Sequence, residues 1–181
     1  MKTKYDKYGA LHVNMQGKLV DYTGVTVPLR GMDSNVLSTN PLEITREYFQ
    51  KLQNDYSVDI IRLSVSADAD KEICMNLLHT CVASATELGL YLIIACEQKN
   101  AQSFFETFVS KYYAYGNLLY ELCSCKDEYE TYSKNLIQII RKIDPYGIII
   151  LGGSTEHLKG FKNILSDINS IEEIKWLEEI V

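Results

Sequence analysis

Gly89-Leu90-Tyr91-Leu92-Ile93-Ile94-Ala95-Cys96 is the stretch that decides the fold. Its apolar run, residues 90–96, is entered through a glycine and has no polar interruption. That is too short for a buried helix and suits a strand covered on both faces, as in a parallel sheet. Just before it, Ile73, Leu77, Leu78, Cys81, Val82, Ala85 and Leu88 recur at helical spacing, and Gly89 stops them. After it comes a second helical stripe, Phe104, Phe105, Phe108, Val109 and Tyr112. Helix, strand, helix is the rhythm of a βα series.

The rhythm extends both ways. Residues 58–65 form the preceding apolar strand. Ahead of them, Asn40-Pro41-Leu42-Glu43 reads as a helix start, with Asn as cap, Pro at the first helical position and Glu reaching back. It leads into Ile44, Tyr48, Phe49 and Leu52 on one face. Residues 11–32 alternate, with turns at Gln16-Gly17 and Tyr22-Thr23-Gly24, which predicts a β-hairpin running into a first buried strand near residues 27–32. Downstream, residues 118–123 are the fourth strand. A helix with Tyr129, Tyr132, Leu136, Ile140 and Ile143 follows, then a fifth strand at residues 148–151. Beyond about Glu156, two helical stripes, Leu158/Phe161/Leu165/Ile168 and Ile171/Ile174/Leu177/Val181, predict extra C-terminal helices and no sixth strand.

The expectation is an α/β chain of about five βα units, a single domain over residues 1–181, with right-handed crossovers and a parallel sheet. A doubly wound sheet would show a Gly-rich phosphate loop after the first strand. Arg30-Gly31-Met32-Asp33-Ser34-Asn35 has one Gly and none of that spacing, whereas a barrel segment needs no such loop.

Composition excludes several classes. The net charge is -6, from 24 acidic and 18 basic residues, with no basic stripe to neutralise a phosphate backbone, so nucleic acid is not an expected partner. No stretch is long and apolar enough to span a bilayer, and the charged start has no signal-peptide core behind it. As written, the chain reads as cytoplasmic, with a trimmed leader as the alternative. The 5 cysteines are an odd number without zinc-type pairs, so reduced thiols are expected and neither metal nor cofactor is. The 13 tyrosines suit sugar or partner surfaces, but at helical spacing they read first as core and boundary residues.

Five segments, taken in order, resemble glycoside hydrolase family five, the cellulase family. They are Leu19-Val20-Asp21 with Gly24 and Val27-Pro28-Leu29-Arg30-Gly31-Met32; Ile60-Ile61-Arg62-Leu63; Gly89-Leu90-Tyr91-Leu92-Ile93-Ile94; Asn117-Leu118-Leu119-Tyr120-Glu121-Leu122; and Ile139-Ile140-Arg141 with Asp144-Pro145 and Ile148-Ile149-Ile150-Leu151-Gly152. The resemblance runs to roughly His157. It implies a partial TIM barrel with its site where the strands end, and a retaining mechanism needing two carboxylates about 5–5.5 Å apart.

At the implied acid/base position, in the triplet Ser124-Cys125-Lys126, this chain carries a thiol. The implied nucleophile belongs to a seventh strand that the pattern does not supply. Glu97 and Asn35 stand near positions where the family has an Asp-x-His-like motif and a His. Arg62 matches a polar cleft residue, or is a structural Arg paired inside the barrel mouth. Arg62, Asn35 and Glu97 are therefore the candidate substrate-binding residues, with no catalytic residue expected and Cys125, flanked by Ser124, as a degenerate acid/base position. Acid and nucleophile act as a unit, so losing both leaves no route to glycosidic cleavage.

Other chemistry reads weakly. Cys96 and Cys125 end neighbouring strands near Glu97 and Asp33, but match no zinc spacing. His12, His79 and His157 lie on different elements without a nucleophile partner. Leu151-Gly152-Gly153-Ser154-Thr155 suits an anion-binding turn and equally a routine βα turn.

An unclosed barrel leaves two sheet edges to be covered by a second copy, a partner chain, or the hairpin and C-terminal helices. Three functions follow. The first is a non-catalytic glycosidase-like protein, resembling the N-terminal part of an endo-β-1,4-glucanase, that retains weak binding of a β-linked oligosaccharide. The second is one half of a split glycoside hydrolase, and the third is a self-associating scaffold.

Overall fold

The computed structural model describes residues 2–65, 71–96, 101–122, 129–151, 161–165 and 168–177. The charged start forms a short helix, α1 (Lys4–Tyr8), closed by a capping box. The Thr3 hydroxyl accepts from the Asp6 amide and the Asp6 carboxylate accepts from the Thr3 amide, each at 3.0 Å. The predicted hairpin follows as antiparallel β1 (His12–Val13) and β2 (Leu19–Val20).

The βα series is present. Strands β3 (Leu29–Ser34), β4 (Ile60–Val65), β5 (Tyr91–Cys96), β6 (Leu118–Leu122) and β7 (Ile148–Leu151) pair in chain order, all parallel. After the one-turn α2 (Val36–Thr39), the connecting helices are α3 (Arg46–Tyr56), α4 (Lys71–Leu88), α5 (Ala101–Tyr112) and α6 (Tyr129–Ile143). No helix among the described residues is long and apolar enough to cross a membrane.

One helix start differs from expectation. Asn40 precedes only a 3-10 turn, Pro41–Glu43, and its side chain caps nothing. The true cap is Thr45, whose hydroxyl accepts from the Tyr48 amide at 3.2 Å and begins α3. At the far end of α4, Gly89 takes the left-handed φ of 65° that a helix-ending glycine supplies. It also admits the N-terminus, because a Cβ there would sit 2.2 Å from Thr3 Oγ1. Ile73, assigned to the buried stripe of α4, is 62% exposed.

The predicted C-terminal helices are replaced by strands over the described residues, so the expectation of a sheet without a sixth or a seventh strand is overturned as well. The chain forms β8 (Ile164–Leu165), a 3-10 turn at Ile168–Ser170 and β9 (Ile174–Trp176). Asn163 adopts φ 55°, which interrupts any helix there, and its carbonyl accepts from Ile149 N at 3.0 Å to start the β7–β8 ladder. At the other edge, Leu29 N donates to Glu173 O at 2.8 Å and Leu177 N to Gly31 O at 2.9 Å. Apolar spacing that suits a helix also suits short strands, and the open backbone groups of β7 and β3 decide between them.

Among the described residues the sheet therefore has seven strands, in the order β8-β7-β6-β5-β4-β3-β9. In a closed barrel the last strand pairs with the first, as β9 does with β3. No pairing joins β8 to β9 among the described residues. Gly31 makes the β9 contact close, since a Cβ there would lie 2.6 Å from Ile174 Cγ2 and 2.8 Å from Trp176 Cε3.

Strand alternation sorts the side chains into two cores. Outward residues such as Ile61, Leu63, Leu92, Ile94, Tyr120 and Ile149 pack with Phe49, Leu78, Val82, Phe105, Phe108 and Ile140 of the helices. Inward residues Leu29, Ile60, Tyr91, Ile93, Leu119, Ile148, Ile150, Leu165 and Ile174 form the barrel interior. The N-terminal segment closes its floor. Tyr5 meets the Tyr91 ring edge-on at 5.5 Å, and the Tyr91 hydroxyl donates to Gly9 O at 2.7 Å.

Candidate functional site

Inward-facing positions turn polar at the C-terminal ends of the strands. On β4 the inward series runs Ile60, Arg62, Ser64; on β3 it reaches Asp33; on β6 it reaches Glu121. Asp33 and Arg62 are register partners. Glu121 lies two strands away from Arg62, across β5, where its register partner is Ala95. Ala95 bears only a methyl group, so a long side chain from β4 can pass over β5 to β6.

Arg62 makes that crossing. Its Nε donates to Glu121 Oε2 at 2.6 Å and its Nη2 to Glu121 Oε1 at 3.0 Å, a bidentate fork. Its Nη1 donates to Asp33 Oδ2 at 2.9 Å and to Ser64 Oγ at 3.0 Å. The side chains of Arg62 and Glu121 are 14% and 7% exposed, while that of Asp33 is 51% exposed. Glu121 and Arg62 thus form a buried pair, and Asp33 is the member that looks out through the mouth.

Of the two readings of Arg62, the structure shows the paired one. Glu121 was not among the expected site residues, although its sequence context marks it. It interrupts the run Leu118-Leu119-Tyr120-Glu121-Leu122, and an acid inside a fully buried strand requires a cationic partner.

Asn35 is exposed at the same end, immediately after β3, but it is tied locally. Its carbonyl accepts from Ser38 Oγ at 2.9 Å and its side-chain oxygen from Thr39 Oγ1 at 3.3 Å. Glu97, Ser124 and Cys125 lie outside the described residues, as does the turn at residues 152–155. Cys96 is buried at the end of β5, on the outward face with Ile94. Among the described residues no group of three His, Cys, Asp or Glu side chains could hold a metal ion. His79 stands apart on α4, stacked on Tyr112 with its Nδ1 3.2 Å from the phenol oxygen.

No family model matches the chain. Endoglucanase N of Pectobacterium atrosepticum is 26% identical over 174 residues, which are 84% of this chain and 39% of that protein. An endoglucanase of Clostridium saccharobutylicum is 26% identical over 160 residues, 76% of this chain and 36% of that protein. The catalytic domain of Thermobifida fusca endoglucanase Cel5A matches with a TM-score of 0.73 at 25% identity, covering 84% of this chain and 56% of that one. A variant of that domain has been solved in complex with cellotetraose. The alkaline cellulase K catalytic domain matches with a TM-score of 0.72 at 19% identity, which bears on the fold alone. The chain spans well under half the length of these curated relatives.

Proposed function

From a chain related at low identity to endoglucanases, with the fold of family-five cellulase catalytic domains over most of its length, we propose a glycosidase-like domain without hydrolytic turnover. It holds a β-1,4-linked oligosaccharide weakly at the C-terminal mouth of its sheet. The observation that carries this reading is the commitment of the polar groups there. Both oxygens of Glu121 face the Arg62 guanidinium, and Asp33 braces it from the other side. A carboxylate locked in that fork is not presented to a glycosidic bond, and a thiol, Cys125, stands at the implied acid/base position. The exposed Asp33 carboxylate remains to accept from sugar hydroxyls, and the Ser64 hydroxyl and the Asn35 side-chain amide nitrogen remain to donate to them.

Titration of cellotetraose into the full chain, wild type and Asp33→Ala, tests this. The expected result is weak binding to wild type, further weakened in the variant. Equal binding by both, or none by either, would remove the mouth as a sugar site. A second reading is favoured by the short outer strands β8 and β9, not paired with each other among the described residues, which suit completion by a second copy or a partner chain. Sedimentation that shows a concentration-dependent dimer would support it.

A further inference from the structure

At the opposite, N-terminal end of the sheet lies a groove of about 400 Å³, within the range of small-ligand sites. It is walled by His12, Tyr113, Tyr115 and Tyr146 over a floor that includes Leu11 and Ile148. Along β6 the groove's Leu118 and Leu119 precede Glu121 by roughly 7–10 Å of strand, with the barrel interior between the groove and the Arg62 cluster. We propose that this groove is a second, separate binding site for a neutral oligosaccharide.

Its chemistry selects that ligand. Tyr113 and Tyr146 are 54% and 76% exposed, unusual for large rings beside a buried floor. Their hydroxyls, that of Tyr115 and the His12 ring make no hydrogen bond within the described residues, so four polar tips surround an apolar base. Among the described lining residues the one acid is Asp144, and it is already satisfied. Its Oδ2 accepts from the Tyr120 hydroxyl at 2.9 Å, and its Oδ1 accepts from the Tyr146 and Gly147 amides at 3.1 and 2.8 Å. With no Lys or Arg in its lining and its one carboxylate already satisfied, the groove offers a charged ligand little to offset its lost hydration. Ring faces edged by hydrogen-bonding hydroxyls match the flat, hydroxyl-rimmed faces of a pyranose chain.

The groove does not depend on the reading of the mouth, and the test separates them. Nitration of surface tyrosines on the full chain, read by mass spectrometry with and without cellotetraose, should show at least threefold protection of Tyr113, Tyr115 and Tyr146. Tyr22, 81% exposed in the turn after β2, serves as the unprotected control. The double variant Tyr113→Ala, Tyr146→Ala should lose one class of calorimetric sites while Asp33→Ala keeps it. Unchanged nitration at saturating sugar, or calorimetry unaltered by the double variant, would overturn the proposal. Protection that follows protein concentration instead of sugar would also overturn it, marking the groove as a contact between copies.

Discussion

The Arg62–Glu121 pair permits a quantitative test of the mouth. Replacing Arg62 by Met leaves a carboxylate 7% exposed without its cation, and breaking a buried pair from one side typically costs about 3–5 kcal/mol. Asp33 and Ser64 lose their partner as well, but Asp33 is half exposed and regains water, so about 3 kcal/mol is expected for Arg62→Met. Glu121→Leu leaves Arg62 with Asp33 and Ser64, which lowers the expected cost to about 2 kcal/mol. Removing both charges at similar volume takes away the desolvation penalty together with the attraction, so the double variant should sit within about 2 kcal/mol of wild type. The coupling is then at least about 3 kcal/mol, at or above the upper end for contacting residues. Urea unfolding of the four proteins measures it, and Arg62→Met alone should lower Tm by roughly 10 °C. Additive single effects, with coupling under about 0.5 kcal/mol, would refute a shared buried network.

Further predictions concern backbone, titration and thiols. Gly89→Ala meets both a left-handed φ and a Thr3 contact at 2.2 Å, whereas Gly24→Ala meets φ 86° in open space. Thermal unfolding should show a loss of about 1 kcal/mol for Gly24→Ala and clearly more for Gly89→Ala, and equal losses would remove the N-terminal contact. Burial raises the Asp59 carboxyl above the usual carboxylate range, against the Arg30 amide that donates to it at 2.9 Å. The folded state therefore binds that proton more tightly than the unfolded one, and this contribution fades as pH climbs from the ordinary value through the raised one. Asp59→Asn should gain stability relative to wild type at neutral pH and lose the advantage at acid pH; a pH-independent difference contradicts the assignment. Burial pushes the Cys81 thiol up to about 12, and Cys74 and Cys96 are also buried. Alkylation mapped by mass spectrometry should find these three unmodified in native protein and modified in urea, and native modification of any of them would contradict its burial.

Much of this fold is written in apolar period. The run at residues 90–96 became a strand buried on both faces because helices cover one side and the barrel interior the other. The hairpin and four helix stripes are legible for the same reason. The C-terminal segment was not, because β8 and β9 owe their form to long-range pairing with β7 and β3, which no local spacing records. Asn163 shows the difference. Its side chain accepts from Val13 N at 3.0 Å and donates to Tyr146 O at 2.7 Å, fixing β8 through contacts far away in sequence. The expected cap at Asn40 gives way to Thr45, because Pro41–Glu43 closes only a 3-10 turn and α3 begins after it.

The site was half legible. Arg62 was found from its segment, and its partners lie 29 residues before it and 59 after it, brought together by strand order. Asn35 reached the right end of the sheet but is occupied by Ser38 and Thr39. Alternation on β6 would have identified Glu121, since the inward position two residues after Leu119 falls at the mouth.

The central claim is that this cellulase-like sheet engages β-1,4-glucan without cutting it. Calorimetric titration of the full chain with cellotetraose, with released reducing sugar assayed in the same samples, tests it most directly. Binding heat with no release above a protein-free blank is the predicted result. Release that scales with protein concentration would contradict it.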